Sequence, residues 1–459
     1  MHRTSMWTTY DGKCGNGFSH FENGLHLFYS FVLKTHAMAA RNLLVLLLVV
    51  LAGCSTLIAP PQDPSPPAGT ESPPEQQSNT TAPTDDNTSE PTLPQISVTG
   101  GNLATDPIQT FRRVTTQLGI NSTVANQYNV SIKVITPENV RSSREPPRFL
   151  RVLGVQAPEY RTNLAGQTIG DDEIRINHDV ATQPRIAGLL THEYVHIVQH
   201  SRDETGQLFD VDTSGWDEIP PSGPELRLLD SSLTEGAATH VADQYQQAYT
   251  DTLPQGTRYR RAYEQRETAG GRYFMAPYWF GYRYVADRLE DNSTLASIYD
   301  QPPRTTEALV HQYDPGAEPP VSLSVNVTAD RWWPDDRGRV GELGTRIALS
   351  AHLNRSRAAV GADGWGNDAL VPFERNSSRG YVWITRWDDT ANASEFRTAL
   401  TAALNQDATA TEMGWRDGQV VFRIQQGEDS ETVVVVAGPP KFARNTSMDI
   451  NQRVSVQVR

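Results

Sequence analysis

The sequence predicts an α+β protein whose folded part divides into two domains. Segments with apolar residues at helical spacing are interspersed with short segments in which apolar and polar residues alternate. The chain has 459 residues, enough for two domains after an unstructured N-terminal part is set aside. We expect a first domain over residues 99–300, a linker or irregular segment over 301–340, and a smaller α+β domain over 341–459.

The N-terminal residues indicate export. Arg41 precedes an apolar run, 43–50, that is too short to span a bilayer comfortably and is followed at once by Leu-Ala-Gly-Cys54. This pattern is typical of a signal peptide over 1–54, with Met38 as the more normal start. Its end resembles the lipobox of bacterial-type lipoproteins, which implies cleavage before Cys54, lipidation of that thiol, and anchoring on the outer face of the membrane.

Residues 55–98 are rich in Pro, Ser, Thr, Glu and Asp and predict a disordered, extended tether. Asn-X-Ser/Thr sequons recur along the whole chain, which supports export and glycosylation. The only cysteines are Cys14 and Cys54, so the mature chain has no disulfide.

The charge of the chain excludes one class of partner. The formal net charge is −14, and nearly all basic residues are arginines; the lysines are Lys13, Lys34, Lys133 and Lys441. Nucleic-acid binding needs a basic surface, so we expect no nucleic-acid partner. An acidic, lysine-poor chain resembles haloarchaeal proteins, whose carboxylates keep a hydrated layer in strong salt.

The first domain is predicted to begin with strands near 130–135 and 149–155. Residues 173–177 alternate between apolar and polar side chains, as a half-buried strand does. Pro184 suits the first position of a helix, and apolar residues follow at helical spacing as far as Val198.

That helix carries the pattern H-E-x-x-H at His192, Glu193 and His196. The two histidines are four residues apart, so their side chains lie about 5 to 6 Å apart on one helix face and can share an ion. The pattern therefore predicts two ligands of a zinc ion together with a general base, Glu193. His200 lies about 12 Å along the helix axis from His192 and cannot join them, and we expect His178 and His240 to be ordinary core or surface histidines.

A third ligand has to come from a later segment. Four glutamates are candidates: Glu204, Glu218, Glu225 and Glu235. Glu204 is too close to the helix end, and Glu218 and Glu225 flank a Pro/Gly-rich run that predicts an irregular loop. Glu235 is favoured because it lies in a segment that predicts a helix starting near residue 230 or 231. The small residues 236–238 would let this helix lie close to the first.

Residues 140–300 resemble the gluzincin metallopeptidases, in which the two histidines of H-E-x-x-H and a glutamate from a following helix hold zinc. The resemblance implies that His192, His196 and Glu235 bind Zn²⁺ and that Glu193 is the catalytic base. Gln199 occupies the position where metzincins have a glycine, which excludes that group. Thr239 replaces the acidic residue with which some gluzincins orient a ligand histidine.

The chemistry implied is metal-assisted hydrolysis of a peptide bond. The developing oxyanion needs a donor besides the metal. Tyr278 is the candidate, because related enzymes often present a tyrosine or histidine from a later segment, and Tyr282 is nearly as good. The same aromatic segment is equally compatible with a core helix.

The second domain is predicted to start with a helix over 341–353. Strands near 369–373 and 381–387, a helix over 393–404, and strands near 420–424 and 432–436 complete it. Residues 364–368 predict a turn anchored by a buried Trp365. No catalytic group is evident in this domain.

Most of residues 38–459 resemble haloarchaeal surface lipoproteins that carry a gluzincin-like domain followed by an α+β unit. The expected function is that of a membrane-anchored extracellular zinc metallopeptidase with peptide or protein substrates at the cell envelope. The alternative is a catalytically inactive surface lipoprotein, a receptor or adhesin, on a gluzincin-like fold.

Overall fold

The computed structural model describes residues 93–140, 145–157, 164–204, 223–289, 295–428, 430–451 and 453–459. The predicted signal peptide, Cys54 and nearly all of the predicted tether lie outside these residues. The described elements belong to one compact unit within residues 50–459. It is a mixed α+β structure, as predicted. Among the described helices, none is long and apolar enough to cross a membrane.

The N-terminal half is built on a four-stranded sheet. Its strands, in the spatial order β1-β2-β4-β3, are β1 (Gln95–Thr99), β2 (Asn129–Ile135), β3 (Gly166–Ile169) and β4 (Glu173–Asn177). β1, β2 and β4 run parallel, whereas β3 pairs antiparallel with β4 at the edge. The strands predicted near 130–135 and at 173–177 are confirmed.

β1 begins inside the segment that was expected to be a tether up to residue 98. Ile96 and Val98 alternate with polar residues and pack against the apolar core on one side of the sheet. Two apolar residues in a polar, Pro-rich context are too short a pattern to separate a strand from an extended tether.

Four short or medium helices accompany this sheet: α1 (Pro107–Gln117), α2 (Ser122–Ala125), α3 (Arg148–Val152) and α4 (His178–Ala181). The prediction of a strand over 149–155 is wrong, because α3 occupies it. Phe149, Leu150 and Leu153 are all buried, at the spacing of one helix face. A short apolar run cannot be assigned to strand or helix from periodicity alone.

The next five helices are α5 (Ile186–Ser201), α6 (Gly223–Tyr249), α7 (Gln255–Gln265), α8 (Ala269–Arg288) and α9 (Ala296–Asp300). α5 starts two residues after Pro184. α6 starts at Gly223, well before the predicted start at residue 230 or 231, because Pro224 is tolerated in a first helical turn. Leu226, Leu229 and Leu233 then form its buried stripe.

α6 and α8 cross at a pair of glycines. A Cβ atom on Gly236 would lie 2.3 Å from the backbone carbon of Gly281, and one on Gly281 would lie 1.9 Å from the Ser232 oxygen. Gly236 therefore allows close approach to α8, and not to the motif helix α5 as the sequence had led us to expect. Ala238 does contribute to the apolar cluster that contains α5.

The segment 301–340 was expected to be a linker or irregular. It contains α10 (Thr306–His311), β5 (Val325–Ala329) and the two-residue strand β6 (Trp333–Pro334). β5 pairs parallel with a strand at the C-terminus, Val454–Val458. β5 of this segment pairs with a strand far along the chain, so the local sequence gives little information about its secondary structure.

The C-terminal half is a second sheet covered by helices. Its remaining elements are α11 (Gly341–Leu349), α12 (Arg355–Val360), β7 (Trp365–Arg375), β8 (Ser378–Trp387), α13 (Thr390–Asp407), β9 (Thr409–Thr411), β10 (Gly414–Asp417), β11 (Val420–Gln426), β12 (Thr432–Gly438), α14 (Pro440–Asn445), β13 (Thr446–Ile450) and β14 (Val454–Val458). The large sheet is antiparallel, in the order β6-β7-β8-β12-β11-β10-β9, and a small sheet has the order β13-β14-β5. All six elements predicted in this half are present with shifted ends, and Trp365 is buried but begins β7.

One apolar cluster extends through both halves. It includes residues of α3, α6 and α8 as well as residues of α11, α13 and the large sheet. Phe149 of α3, for example, packs edge-on against Trp383 of β8, with ring centroids 5.4 Å apart. The two predicted domains therefore share a core within the described residues.

Candidate metal centre

The motif helix α5 and the long helix α6 bring three ligand atoms together. His192 Nε2 lies 3.1 Å from His196 Nε2 and 3.2 Å from Glu235 Oε2, and His196 Nε2 lies 3.4 Å from the same oxygen. All three side chains have no exposed surface. The sequence-predicted set thus forms a nearly equilateral triangle of nitrogen and oxygen atoms.

This triangle has the dimensions of three ligands of one tetrahedral zinc ion. With metal–ligand distances near 2.0 to 2.1 Å, tetrahedral geometry separates neighbouring ligand atoms by about 3.3 Å. Two imidazoles and one carboxylate are also a donor set that zinc favours. The residues present therefore fit Zn²⁺.

Gln199 fixes the orientation of His196. Its Oε1 lies 2.6 Å from His196 Nδ1, while its Nε2 donates to the Thr234 carbonyl and to the Tyr299 hydroxyl at 3.0 and 2.7 Å. Because the amide nitrogen is committed to those two acceptors, the oxygen faces the imidazole and accepts its Nδ1 proton. The Nε2 lone pair of His196 is then free for a metal, which is the usual arrangement behind a ligand histidine.

Burial and charge within the triangle change the pKa of its three members in different directions. Burial opposes a low pKa for Glu235, but hydrogen bonds from both imidazoles outweigh it and lower the pKa of this carboxyl far below its usual value. Burial lowers the pKa of His192 despite the nearby carboxylate, so this imidazole is neutral. For His196 the pull of Glu235 exceeds the effect of burial, and its pKa is raised. Metal binding requires both imidazoles to be neutral, so it would release the proton of His196.

Glu193 lies beside the triangle and is also completely buried. Its Oε2 accepts a hydrogen bond from the Thr168 hydroxyl of β3 at 2.8 Å. No described residue donates a hydrogen bond to its Oε1. Burial raises the pKa of Glu193 to about 7, against the opposing effects of His196 and Thr168. A carboxyl with such a pKa can both accept and return a proton near neutral pH.

β3 approaches Glu193 so closely that one position must be glycine. A Cβ atom on Gly166 would lie 2.7 Å from Glu193 Oε1. Gly166 and Thr168 are two residues apart on an edge strand, so they face the carboxyl from the same side of the sheet. β3 thereby both makes room for Glu193 and orients it.

Tyr278 of α8 lies next to His192. The two rings are nearly parallel, with centroids 6.3 Å apart, and Tyr278 is 1% exposed. Tyr259 of α7 is a second neighbour, 6.5 Å from the His192 ring and 4.6 Å from the Tyr278 ring. The alternative candidate Tyr282 faces elsewhere. Its ring lies against Gly256 and its hydroxyl bonds to Asp243.

The other candidates stay outside the triangle. Glu225 lies in the first turn of α6, not in a loop, and forms a buried ion pair with Arg339. His178 is exposed beside Asp179, and His240 bonds to Gln244. Residue 218 lies outside the described part of the chain.

Thr239 is buried, and no described residue forms a hydrogen bond with its hydroxyl. It therefore does not take over the orienting task of the acidic residue found there in some gluzincins. For His196 that task belongs to Gln199, whose place in the sequence also distinguishes this chain from metzincins.

Comparison with known proteins gives one match. A family model described as a domain of unknown function (DUF8575) matches residues 331–447. This segment contains the whole seven-stranded sheet and lies after every residue of the triangle. Neither the curated proteins nor the solved structures give a match to this chain.

Proposed function

We propose that this protein is a zinc metallopeptidase with a zincin-like, gluzincin-type domain. The observation that carries the proposal is the buried triangle of His192, His196 and Glu235 with the free carboxylate oxygen of Glu193 beside it. An antiparallel edge strand, β3, that contacts the helix with H-E-x-x-H, together with a later helix that carries a glutamate, also supports the proposal.

A zinc ion held by these three residues would lower the pKa of a bound water to about 7 and polarise the carbonyl of the scissile peptide bond. Glu193 takes the proton of the attacking water through Oε1 while Thr168 holds Oε2 in place. Because the pKa of Glu193 is about 7, this carboxyl then returns the proton to the leaving amine. Tyr278 is the group that we assign to stabilise the oxyanion.

β3 lies at the edge of its sheet and pairs, among the described strands, with β4. Its residues 166–168 are buried, so an extended peptide substrate could lie along β3, past Gly166 and Glu193, only if the structure opens.

The decisive experiment compares zinc content and peptide hydrolysis in the purified full chain and three variants. Glu193→Gln is expected to keep one zinc at the triangle and to lose hydrolysis of a casein or peptide-library substrate. His192→Ala and Glu235→Ala are expected to lose both. An active Glu193→Gln protein would refute the proposed role of this carboxylate.

A second candidate is a surface protein that holds zinc without hydrolysing peptides. It is favoured by the complete burial of His192, Glu193, His196 and Glu235, because a substrate reaches them only if the structure opens. Zinc bound to wild type without hydrolysis of any peptide, under conditions where the chain is folded, would select this candidate.

We further propose that the protein is exported and anchored by a lipid on Cys54, with substrates at the cell envelope. The support is the apolar run and the Leu-Ala-Gly-Cys54 sequence that follows Arg41. Cys54→Ser is expected to move the protein from the membrane fraction to the medium. An unchanged membrane fraction would contradict lipid anchoring.

A further inference from the structure

A second group of potential ligands lies far along the chain from the first, where α10 meets the C-terminal half. His311 ends α10, Glu342 is in the first turn of α11, and Asp363 follows α12. One ligand atom from each lies within 4.8 Å of the other two. His311 Nε2 is 2.9 Å from Glu342 Oε2 and 3.9 Å from Asp363 Oδ1.

The Glu342 carboxylate is the strongest indication of a missing ligand. Its side chain is fully buried, and Oε1 pairs with Arg346 at 3.1 Å. Oε2 is buried, and its 2.9 Å contact with His311 Nε2 is the one that the described residues offer it. Neighbouring ligand atoms of one cation lie about 3 Å apart, so this separation suits two ligands of the same ion.

A further carboxyl group lies beside these three residues. Glu307 precedes His311 by one helical turn and is 4% exposed. Among the described residues, Glu342 is paired with the basic groups of Arg346 and His311. A cation bound at His311 and Glu342 would add positive charge beside these buried carboxyl groups.

We propose that His311, Glu342 and Asp363 form a second metal site, for a divalent transition cation such as Zn²⁺, with Glu307 beside it. The imidazole nitrogen selects a transition metal over Ca²⁺ or Mg²⁺, which prefer oxygen ligands alone. The exposed Asp363 leaves the site open to solvent on one side.

The site joins two parts of the chain. Glu307 and His311 precede the segment that matches the family model, whereas Glu342 and Asp363 lie within it. A metal at this position therefore fixes α10 onto the C-terminal half, which is a structural role separate from the proposed catalytic centre.

The test is the number of zinc ions bound by the purified full chain after equilibration with zinc and removal of the excess. We expect two per chain in wild type, and one each in His311→Gln, Asp363→Asn and Glu235→Ala. The double variant His311→Gln/Glu235→Ala is expected to bind none. Asp363 is largely exposed, so its substitution tests the site without disturbing the core.

His352→Gln is the matched control, because His352 also pairs with a surface aspartate, Asp407 at 2.8 Å, but has no third ligand group among the residues that the structure describes. It should keep the wild-type zinc count. In a Glu235→Ala background, His311→Gln should weaken the remaining zinc affinity by about 100-fold or more.

An unchanged zinc count and affinity in both His311→Gln and Asp363→Asn would overturn this proposal, and so would occupation by Ca²⁺ that does not need His311. If the first centre holds no zinc, wild type should bind one ion per chain, still lost in His311→Gln. Failure of the proposed peptidase centre is thus distinguishable from failure of this second site.

Discussion

At the level of single residues, the hydrogen bonds behind His196 decide which ring nitrogen faces the other ligands. Gln199 accepts the Nδ1 proton, and its own amide nitrogen is held by Thr234 and Tyr299. We predict that Gln199→Leu weakens zinc affinity by about 10- to 100-fold, because the imidazole loses its orientation. Competition with a chelator of known affinity measures this effect.

Gln199→Glu is the control for that variant, since a carboxylate still accepts the Nδ1 proton. It should retain more affinity than Gln199→Leu. Equal zinc affinity in wild type and Gln199→Leu would mean that His196 is held by its packing alone.

The residues of the triangle and those around it differ in how well the sequence alone identifies them. His192, Glu193 and His196 follow from a local pattern on one helix, and Gln199 lies one turn after His196 on the same face, so it could have been found. Thr168 and Gly166 could not, because their positions depend on the register of β3 against β4 and on how the sheet meets α5. Such information is distributed over residues far apart in the chain.

At the level of elements, the α6–α8 crossing holds Glu235 in place. A side chain on Gly281 would collide with the backbone oxygen of Ser232, one turn before Glu235. We predict that Gly281→Ala lowers the free energy of unfolding by about 1 to 3 kcal/mol through overpacking. It should also weaken zinc binding, since α6 has to shift. Urea unfolding and the chelator competition measure the two effects.

Gly271→Ala is the matched control on the same helix. The atoms nearest to its Cβ are Thr268 Oγ1 at 3.0 Å and Arg266 Cδ at 3.1 Å, which belong to side chains and not to the backbone of another helix. The free energy of unfolding should change by less than about 1 kcal/mol, because alanine favours the helix. Equal stability of the two alanine variants would show that the crossing is not a tight contact.

Asp368 links β7 to the start of α11. It accepts hydrogen bonds from the backbone of Val340 and Gly341 and from the indoles of Trp365 and Trp383. Burial, followed by the charge of Glu225, raises the pKa of Asp368 from 3.8 to about 6. The folded state therefore binds this proton more tightly than the unfolded state, and the contribution to stability is lost as pH rises through that range.

We predict that the contribution of Asp368 to the free energy of unfolding falls by about 3 kcal/mol between about pH 4 and pH 7, at 1.36 kcal/mol per pKa unit. Asp368→Asn does not titrate. The difference in unfolding free energy, wild type minus variant, should therefore shrink by that amount over this range, as measured by urea unfolding at each pH. A difference that is constant or grows with pH would contradict the raised pKa.

Among the elements, the predictable ones carry their pattern locally. β2, β4 and the strands of the large sheet show alternation or long apolar runs, and α5 and α13 show helical spacing. α3 was mistaken for a strand because its buried residues are few and adjacent. α10 and β5 were not predicted, because the contacts that hold them in place come from distant parts of the chain. α10 is bonded to α11, and β5 pairs with β14.

At the level of the whole molecule, the two halves share an apolar cluster and a buried ion pair. Phe149 of the N-terminal half packs on Tyr381 and Trp383, and Glu225 of α6 pairs with Arg339 just before α11. Neither half can lose its structure without exposing apolar surface of the other. The predicted division into two domains therefore does not imply two independent folding units.

We predict that residues 93–459 unfold in one cooperative transition, and that Phe149→Ala destabilises both halves together by about 3 to 5 kcal/mol. Tryptophan fluorescence reports mainly on the C-terminal half, because six of the eight tryptophans in residues 93–459 lie at or after residue 332. Hydrogen exchange of peptides from β2 and α5 reports on the other. Both probes should give the same midpoint in wild type, and the same shift in the variant.

Val360→Ala is the control for that variant, because Val360 is 56% exposed on α12 and its loss should cost less than about 0.5 kcal/mol. Two separate midpoints, with Phe149→Ala moving one of them, would mean that each half keeps a core of its own. A common shift instead makes the C-terminal half a necessary part of the framework that holds His192, His196 and Glu235 in place. Substitutions in the large sheet would then reduce zinc binding by unfolding, although none of its residues lies in the triangle.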